Sequence, residues 1–521
     1  MIRDFSAAPE PGLVEADICI IGAGAAGITL ATELAGHRAK VVLVESGGFE
    51  FDAETQGLYE GELGAMEYWP LAACRLRFFG GTTNHWTGRC QPLTAWDFEP
   101  RPWTKYSGWP IRRAELDAFY GRARPYFELS GENLFDPARY EPGRLRALPT
   151  DPQRLETRIA QWSPPTRFGQ RYRSAIAESA NIDVLLYANV TAIEASEDAR
   201  HVTGLRIASL SGAIGRVRAR QFVLACGGIE NARILLLSDE AERGGLGNRH
   251  DMVGRCFMEH AHLTSAYGIL TGDFETVADY SGFNIGDASL SPTLAATPAA
   301  KAAHRINDYI GALEFDIDPE AGYPSLNRLV RGGSEDHLSD VWNVITDLDN
   351  AAVSAFERLR GRAPLRELAS NTLTIFSISE QEPNPDSRVA LTEARDALGQ
   401  RMVKLDWRLT ETDKRTMRMG NELVGMELGR LGLGRIQLRD WLAADHDRWG
   451  DGLWGGNHHM GTTRMSEDPR LGVVDRDCRV HGIDNLFVAG SSVFATGGAG
   501  NPTFTIVALA IRLADHLKAM T

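Results

Sequence analysis

Residues 17–34 constrain this chain more than any other stretch. Asp17-Ile18-Cys19-Ile20-Ile21 is a short unbroken apolar run, Gly22-Ala23-Gly24-Ala25-Ala26-Gly27 follows at once, and Ala25 to Leu34 reads as a helix. An apolar run without alternation is what a strand buried on both faces requires. The GxGxxG spacing gives each glycine a task. Gly22 permits the tight strand-to-helix turn, Gly24 lets the backbone approach a pyrophosphate, and Gly27 lets the helix pack closely on the strand. The helix N-terminus presents free N–H groups and the positive dipole end to those phosphates. A second buried run, Val41-Val42-Leu43-Val44, completes a βαβ unit. Glu45 ends it about 20 residues past the glycines, where an acidic residue meets ribose hydroxyls. The pattern predicts a dinucleotide site in a doubly wound α/β sheet.

The rest of the 521 residues extends that unit. The first 16 residues are polar and read as a loose arm. Residues 50–110, rich in Gly, Trp and Pro, read as loops around a site. Arg113 to Phe127 and Ile229 to Leu237 read as helices; Val184 to Tyr187, Val202 to Ile207 and Arg216 to Cys226 read as strands. An insert-like stretch covers 336–362. Thr410 to Gly432 is a helix with Thr410 and Asp413 as a capping pair and Met417, Leu423, Met426, Leu428 and Leu431 along one face. Near the end, Leu486 to Ala489 is a strand, followed by a Gly-rich turn and a helix from Thr503 to Lys518.

Composition excludes several classes. With 43% hydrophobic and 24% charged residues the chain can bury a large core, so it is neither disordered nor fibrous. A net charge of −14 opposes nucleic-acid binding. Six scattered cysteines, with no CxxC pair and no zinc-type spacing, point to no disulfide framework, no metal site and a reducing compartment. No apolar signal region opens the chain and no apolar run is long enough to span a membrane, so a cytoplasmic location is expected.

Three further segments carry chemistry: Phe79-Gly80-Gly81-Thr82-Thr83-Asn84-His85-Trp86-Thr87-Gly88, Ala225-Cys226-Gly227-Gly228-Ile229-Glu230-Asn231-Ala232-Arg233, and Asn457-His458-His459-Met460-Gly461-Thr462 with Gly498-Ala499-Gly500-Asn501-Pro502-Thr503. With these in order the chain resembles the glucose–methanol–choline (GMC) oxidoreductases, a family of flavin enzymes. The likeness covers the N-terminal 110 or so residues, 184–260 and the last 70 or so. It is closest to a bacterial branch with sugar dehydrogenase large subunits, and to pyranose oxidases.

The resemblance implies FAD as cofactor. It implies that Gly22, Gly24, Ala25, Ala26 and Gly27, with Glu45 and Ser46, hold the ADP part. Gly80, Gly81, Thr82, Thr83, Asn84, His85 and Trp86 would cover the flavin and its ribityl-phosphate. Val190 would lie at the adenine, and Gly490 and Ser491 would close over the pyrophosphate, with Asn501, Pro502 and Thr503 completing the site. His458 matches the family's active-site histidine and Asn501 its partner. His85 stands where some relatives attach flavin covalently; the non-covalent reading is favoured. His459 is read as a packing neighbour, Cys226 as a small buried residue and no nucleophile, and Trp454 as a wall either of the substrate site or of the core.

Chemistry agrees with the two catalytic assignments. Oxidising an alcohol removes a hydride from carbon and a proton from oxygen; a neutral imidazole takes that proton at physiological pH. Asn501 can hold the substrate oxygen as charge develops. Asn501 before Pro502 also fits a helix N-cap with Pro at N1.

The function expected is oxidation of a CH–OH group of a sugar, glycoside or polyol, with His458 as general base. A non-sugar alcohol is the alternative within that class, and a flavin-containing lyase or decarboxylase the alternative outside it. The partner expected is a small alcohol or sugar. The electron acceptor stays open among oxygen, a quinone, a cytochrome and a partner subunit, and export with such a subunit stays open too. The fold expected is a Rossmann-like FAD-binding domain from 12–110, 155–265 and 455–521, plus a substrate-binding domain from 111–154 and 266–454. The second domain is expected on a mixed or antiparallel sheet with helices, its sheet including Val389-Ala390-Leu391 and the strand around Leu405-Asp406-Trp407.

Overall fold

The computed structural model describes residues 1–7, 12–130, 132–140, 144–272, 276–317, 322–331, 336–346, 368–444 and 448–521. Part of the insert-like stretch 336–362 lies outside them.

One layer is a six-stranded parallel sheet in the order Ile2–Asp4, Ile182–Leu186, Val41–Val44, Ile18–Ile21, Gln221–Leu224, Leu486–Val488. The central strands Ile18–Ile21 and Val41–Val44 are buried at every position. That is why they lack a polar alternation: strands buried on both faces have no solvent side for polar residues. Helix Ala25–Leu34 packs against the last helix, Thr503–Met520, and against Phe168–Glu178. The start of the chain differs from the loose arm expected. Ile2–Asp4 adds an edge strand beside Ile182–Leu186, and Leu13–Glu15 pairs in parallel with Ile214–Arg218. Three residues are too few to show periodicity in sequence, but the open sheet edge supplies them with backbone partners.

The second layer is an antiparallel sheet in the order Gly434–Leu438, His260–Leu270, Leu368–Glu380, Tyr309–Ile317, Ala288–Ala296, Leu155–Trp162, Arg89–Cys90. Its pairings are antiparallel throughout. Of the segments assigned to the cofactor-binding domain, Leu155–Trp162, Arg89–Cys90 and the start of His260–Leu270 run in this sheet. Val389-Ala390-Leu391 and Leu405-Asp406 do not belong to it. They lie in Arg388–Arg395 and Arg401–Asp406, which form a separate three-stranded sheet with Gly61–Leu63, and Trp407 follows outside the strand. Alternation alone reports a half-buried strand and does not say which sheet buries it.

Helix Glu411–Arg430 crosses the antiparallel sheet. Thr410 and Asp413 form its capping box, and Met417, Leu423 and Leu428 are fully buried. Met426, expected on that face, is 49% exposed. Among the described residues no helix is long and apolar enough to cross a membrane.

Candidate active site

A cleft opens at the carboxyl ends of the parallel strands, where doubly wound sheets bind ligands. It holds about 1500 Å³ of empty space, counting the part open to solvent, and runs from Glu45 and Val190 to His458 and Pro502. The glycines show why it is there. A side chain on Gly27 would place Cβ 1.8 Å from the carbonyl oxygen of Gly22, so helix and strand meet backbone to backbone. Around Gly24 nothing lies within 4 Å of such a Cβ: its missing side chain leaves room in the cleft. The first turn of Ala25–Leu34 has no side-chain cap, so its amides stay available to an anion. Gly22, Ala25, Ala26, Ser46, Gly490, Ser491 and Thr503 also line the cleft.

Glu45 is buried and its carboxylate is engaged by backbone. Oε2 accepts the N–H of Ala23 at 2.7 Å and Oε1 that of Gly47 at 2.9 Å. It therefore fixes the phosphate turn while lining the cleft. The 80–84 turn docks on the same loop, because Gly80 N–H donates to Ala23 O at 2.8 Å. Gly81, Thr82, Thr83 and Trp86 line the cleft. Asn84 does not; its Nδ2 donates to Phe79 O at 3.0 Å and holds the turn closed. His85 is exposed and also lies off the cleft wall, since the turn directs Trp86 inward.

Sequence reading passed over a guanidinium cluster on the opposite wall. Arg75 pairs with Glu230 at 2.9 Å and stacks on Tyr59, while Arg77 and Arg233 reach the same carboxylate at 3.5 Å. Burial raises the Glu230 pKa, but the three cations prevail and hold it at about 2. Asn231 ties this helix to the last strand, donating to Ala489 O at 3.1 Å and Ser492 Oγ at 2.9 Å. Cys226, expected as a small buried residue, is only partly buried and lines the cleft; its thiol donates to Ile21 O, and desolvation pushes its pKa up, away from nucleophile chemistry.

His458 and His459 diverge. Asn457 before them adopts a left-handed backbone (φ 60°), and the two rings take different partners. His459 Nε2 lies 3.0 Å from the Tyr68 hydroxyl, which itself donates to Glu259, so His459 is the donor in that contact. His458 faces Asn501, with Asn501 Nδ2 3.1 Å from His458 Nε2. Asn501 is not an N-cap. The terminal helix runs Thr503–Met520 behind Pro502 with no side-chain cap. The amide is instead shared between His458 and Arg89, whose Nη1 donates to Asn501 Oδ1 at 2.8 Å.

These contacts fix a proton arrangement. A guanidinium only donates, so Oδ1 is the atom of Asn501 that meets Arg89, and Nδ2 must point to His458. Nδ2 donates, so His458 Nε2 offers its lone pair. Its proton then sits on Nδ1, 2.8 Å from His260 Nδ1, which accepts. Burial, then His260, His262, His459 and Arg89 in turn, lower the His458 pKa well below the usual imidazole value. The ring is neutral at physiological pH and its lone pair is on Nε2, where Asn501 holds it. His260 and His262, lowered to about 4 and about 3 chiefly by burial, are neutral as well.

The two neighbouring imidazoles were legible in principle. His260 and His262 alternate on the strand His260–Leu270, so both rings point to one face. One nitrogen of each, with one of His458, lies within 4.8 Å of the others. The 2.8 Å Nδ1–Nδ1 contact within this trio is a hydrogen bond. Behind them sits Glu259, fully buried, whose Oε2 accepts the backbone N–H of His458 at 3.0 Å and of His260 at 3.1 Å. At the outer rim Trp454 packs edge-on against Trp69 and His262.

Known proteins resemble the chain in both halves. Residues 17–243 match the FAD dependent oxidoreductase family and residues 383–510 the GMC oxidoreductase family. The 6'''-hydroxyparomomycin C oxidase of Streptomyces lividus is 25% identical across 98% of this chain and 94% of its own length. The fructose dehydrogenase large subunit of Gluconobacter japonicus is 26% identical across 66% of this chain and 56% of its own. Formate oxidase shares the fold, with a TM-score of 0.55 at 17% identity over 98% of this chain and 99% of that one.

Proposed function

We propose that this chain, whose residues 17–243 match the FAD dependent oxidoreductases and 383–510 the GMC oxidoreductases, uses FAD to oxidise a CH–OH group of a sugar, glycoside or polyol, with His458 as the general base and Asn501 as the donor to the substrate oxygen. The observation that carries this reading is the contact between His458 Nε2 and Asn501 Nδ2 at one end of a dinucleotide cleft. The sugar and polyol preference rests on relatives named for an aminoglycoside and for fructose.

The bound flavin supplies the acceptor for the hydride that leaves the carbinol carbon. What the chain supplies is the proton path and the positioning. The neutral imidazole of His458 takes the hydroxyl proton on Nε2. Asn501 Nδ2, already turned inward by Arg89, donates to the oxygen as its charge grows, without changing protonation. Gly22, Gly24, Ala25, Ala26, Glu45, Ser46 and Val190 would hold the adenosine and pyrophosphate end, and Gly27 keeps the helix close enough to the strand for them to do so. Gly81, Thr82, Thr83 and Trp86, on the turn that Gly80 docks, would form one wall for the ring, with Gly490, Ser491, Pro502 and Thr503 also available to it. His85, exposed, is outside that set.

The test is anaerobic mixing of the holoenzyme with a panel of glycosides, free sugars, polyols and simple alcohols. Loss of the oxidised flavin band with at least one of them is expected, and aeration then separates an oxidase from a dehydrogenase. A flavin that no alcohol bleaches, in a protein that instead cleaves or decarboxylates its ligand, would sink the reading.

A further inference from the structure

Arg89 is out of keeping with the other buried cations around the site. Arg75, Arg101, Arg158 and Arg233 each meet a buried carboxylate, from Glu230, Glu380, Asp308 and Asp396. Arg89 is 8% exposed, and among the described residues no carboxylate reaches it. Its hydrogen bonds are both from Nη1, to Asn501 Oδ1 at 2.8 Å and to Gln91 Oε1 at 3.4 Å. Nε and Nη2 have no protein partner there, and they are not among the sealed polar atoms of the interior, so they face accessible space. A buried guanidinium without a counter-charge is costly unless something else neutralises it.

A second unpartnered group lies against His458. His262 is 7% exposed, both of its ring nitrogens are sealed from solvent, and neither has a partner among the described residues. It packs against Trp454 on one side and His458 on the other. The positive charge of Arg89 acts on both His262 and His458. His262, with both ring nitrogens unpartnered, thus packs on the His458 ring, and Arg89 holds the Asn501 amide that faces the same ring.

We propose that Arg89, assisted by His262, binds a carboxylate of the substrate, so that the alcohol oxidised here carries an acid group, as in a sugar acid or a hydroxy acid. The proposal rests on the functional reading above and narrows its substrate class. The planar fork of an arginine matches a carboxylate, Nε and Nη2 form the free edge of that fork, and a neutral imidazole can donate to the same oxygen pair.

The experiment compares matched pairs on the holoenzyme: glucuronate with glucose, gluconate with sorbitol, glycerate with glycerol, glycolate with ethylene glycol. Binding is read from the flavin difference spectrum and from thermal shift, which report occupancy whether or not the flavin is reduced. In at least one pair the acid is expected to bind about 10- to 100-fold more tightly, the worth of one charge-assisted contact in a partly buried site. R89M should bring that ratio close to one, R89K should keep part of it, and H262F should lower it. Because the readout is a ratio, a general loss of activity from a disturbed Asn501 does not mimic it. A panel in which no acid outbinds its neutral partner overturns the proposal. So does an R89M protein that keeps the acid preference while only its flavin potential shifts. Failure of every compound to bleach the flavin would instead count against the alcohol-oxidation reading, with the binding ratios still deciding the role of Arg89.

Discussion

Glu259, immediately before the strand His260–Leu270 of the other sheet, accepts the backbone N–H of His458 at 3.0 Å. Its carboxylate also accepts from His260 N–H and from the Tyr68 hydroxyl, so three donors converge on one buried acid. Burial raises its pKa to about 7, against the pull of those donors. Replacing Glu259 by Ala leaves all three unpaired in the interior, which should cost about 3 kcal/mol or more of folding stability. It should also slow flavin reduction by letting the His458 loop shift. Urea unfolding and stopped-flow reduction check both; an E259A protein with unchanged midpoint and unchanged rate would remove Glu259 from the site.

Removing the base should be more selective. His458→Gln is expected to lower the rate of flavin reduction by about 10²- to 10⁴-fold, the range for a lost general base, with flavin content intact. Asn501→Ala should lower it by about 10²-fold, as for loss of one donor to developing charge. Single-turnover reduction of flavin-replete variants decides; full-rate reduction in H458Q would assign the proton to another group.

How much of this was visible beforehand depends on the range of each signal. Gly22, Gly24 and Gly27 were legible because each task is local: a turn, an approach and a helix contact within six residues. Val41–Val44 was legible because a doubly covered strand cannot afford polar positions. Arg89 was not, since its meaning lies in a carboxylate that is missing from its surroundings, and only the fold shows what surrounds it. Asn501 misled in part, because Asn-Pro before an apolar helix is a cap signal, and the competing partners Arg89 and His458 come from remote segments. The alternation of His260 and His262 was available in sequence, yet a His-x-His pair gains significance only once the strand is known to face His458. Edge strands such as Ile2–Asp4 are set by the sheet they join more than by their own residues.

The glycine turn separates folding from binding. In Gly27→Ala the new Cβ would sit 1.8 Å from Gly22 O, so strand and helix must part and the protein should be strongly destabilised. In Gly24→Ala the Cβ enters open space in the cleft, so the polypeptide should fold with near-normal stability. Flavin content after purification should fall in G24A, because the methyl group occupies the approach to the pyrophosphate. Absorbance ratios and thermal unfolding of the flavin-stripped proteins distinguish the two; equal flavin occupancy in G24A and the parent would place the phosphates elsewhere.

The pH profile should carry the mark of the crowded imidazoles. His458 is held neutral first by burial and then by its neighbours His260, His262, His459 and Arg89, so its pKa in the folded protein lies well below 6.5. A base with a depressed pKa remains deprotonated as the pH falls through the ordinary histidine range. kcat/KM should therefore be level from about pH 8 down past about pH 6.5, the unperturbed value, with its acid limb appearing only below that. Replacing Arg89 by Met removes one positive neighbour, makes protonation of His458 easier and should move the acid limb upward. Glu259, raised to about 7, ionises over the same interval and faces the backbone of His458, so E259Q serves as the control that separates its titration from that of the ring. An acid limb centred near 6.5 in the parent enzyme, unmoved by R89M, would mean that the ring meets solvent during turnover and that burial does not set its protonation.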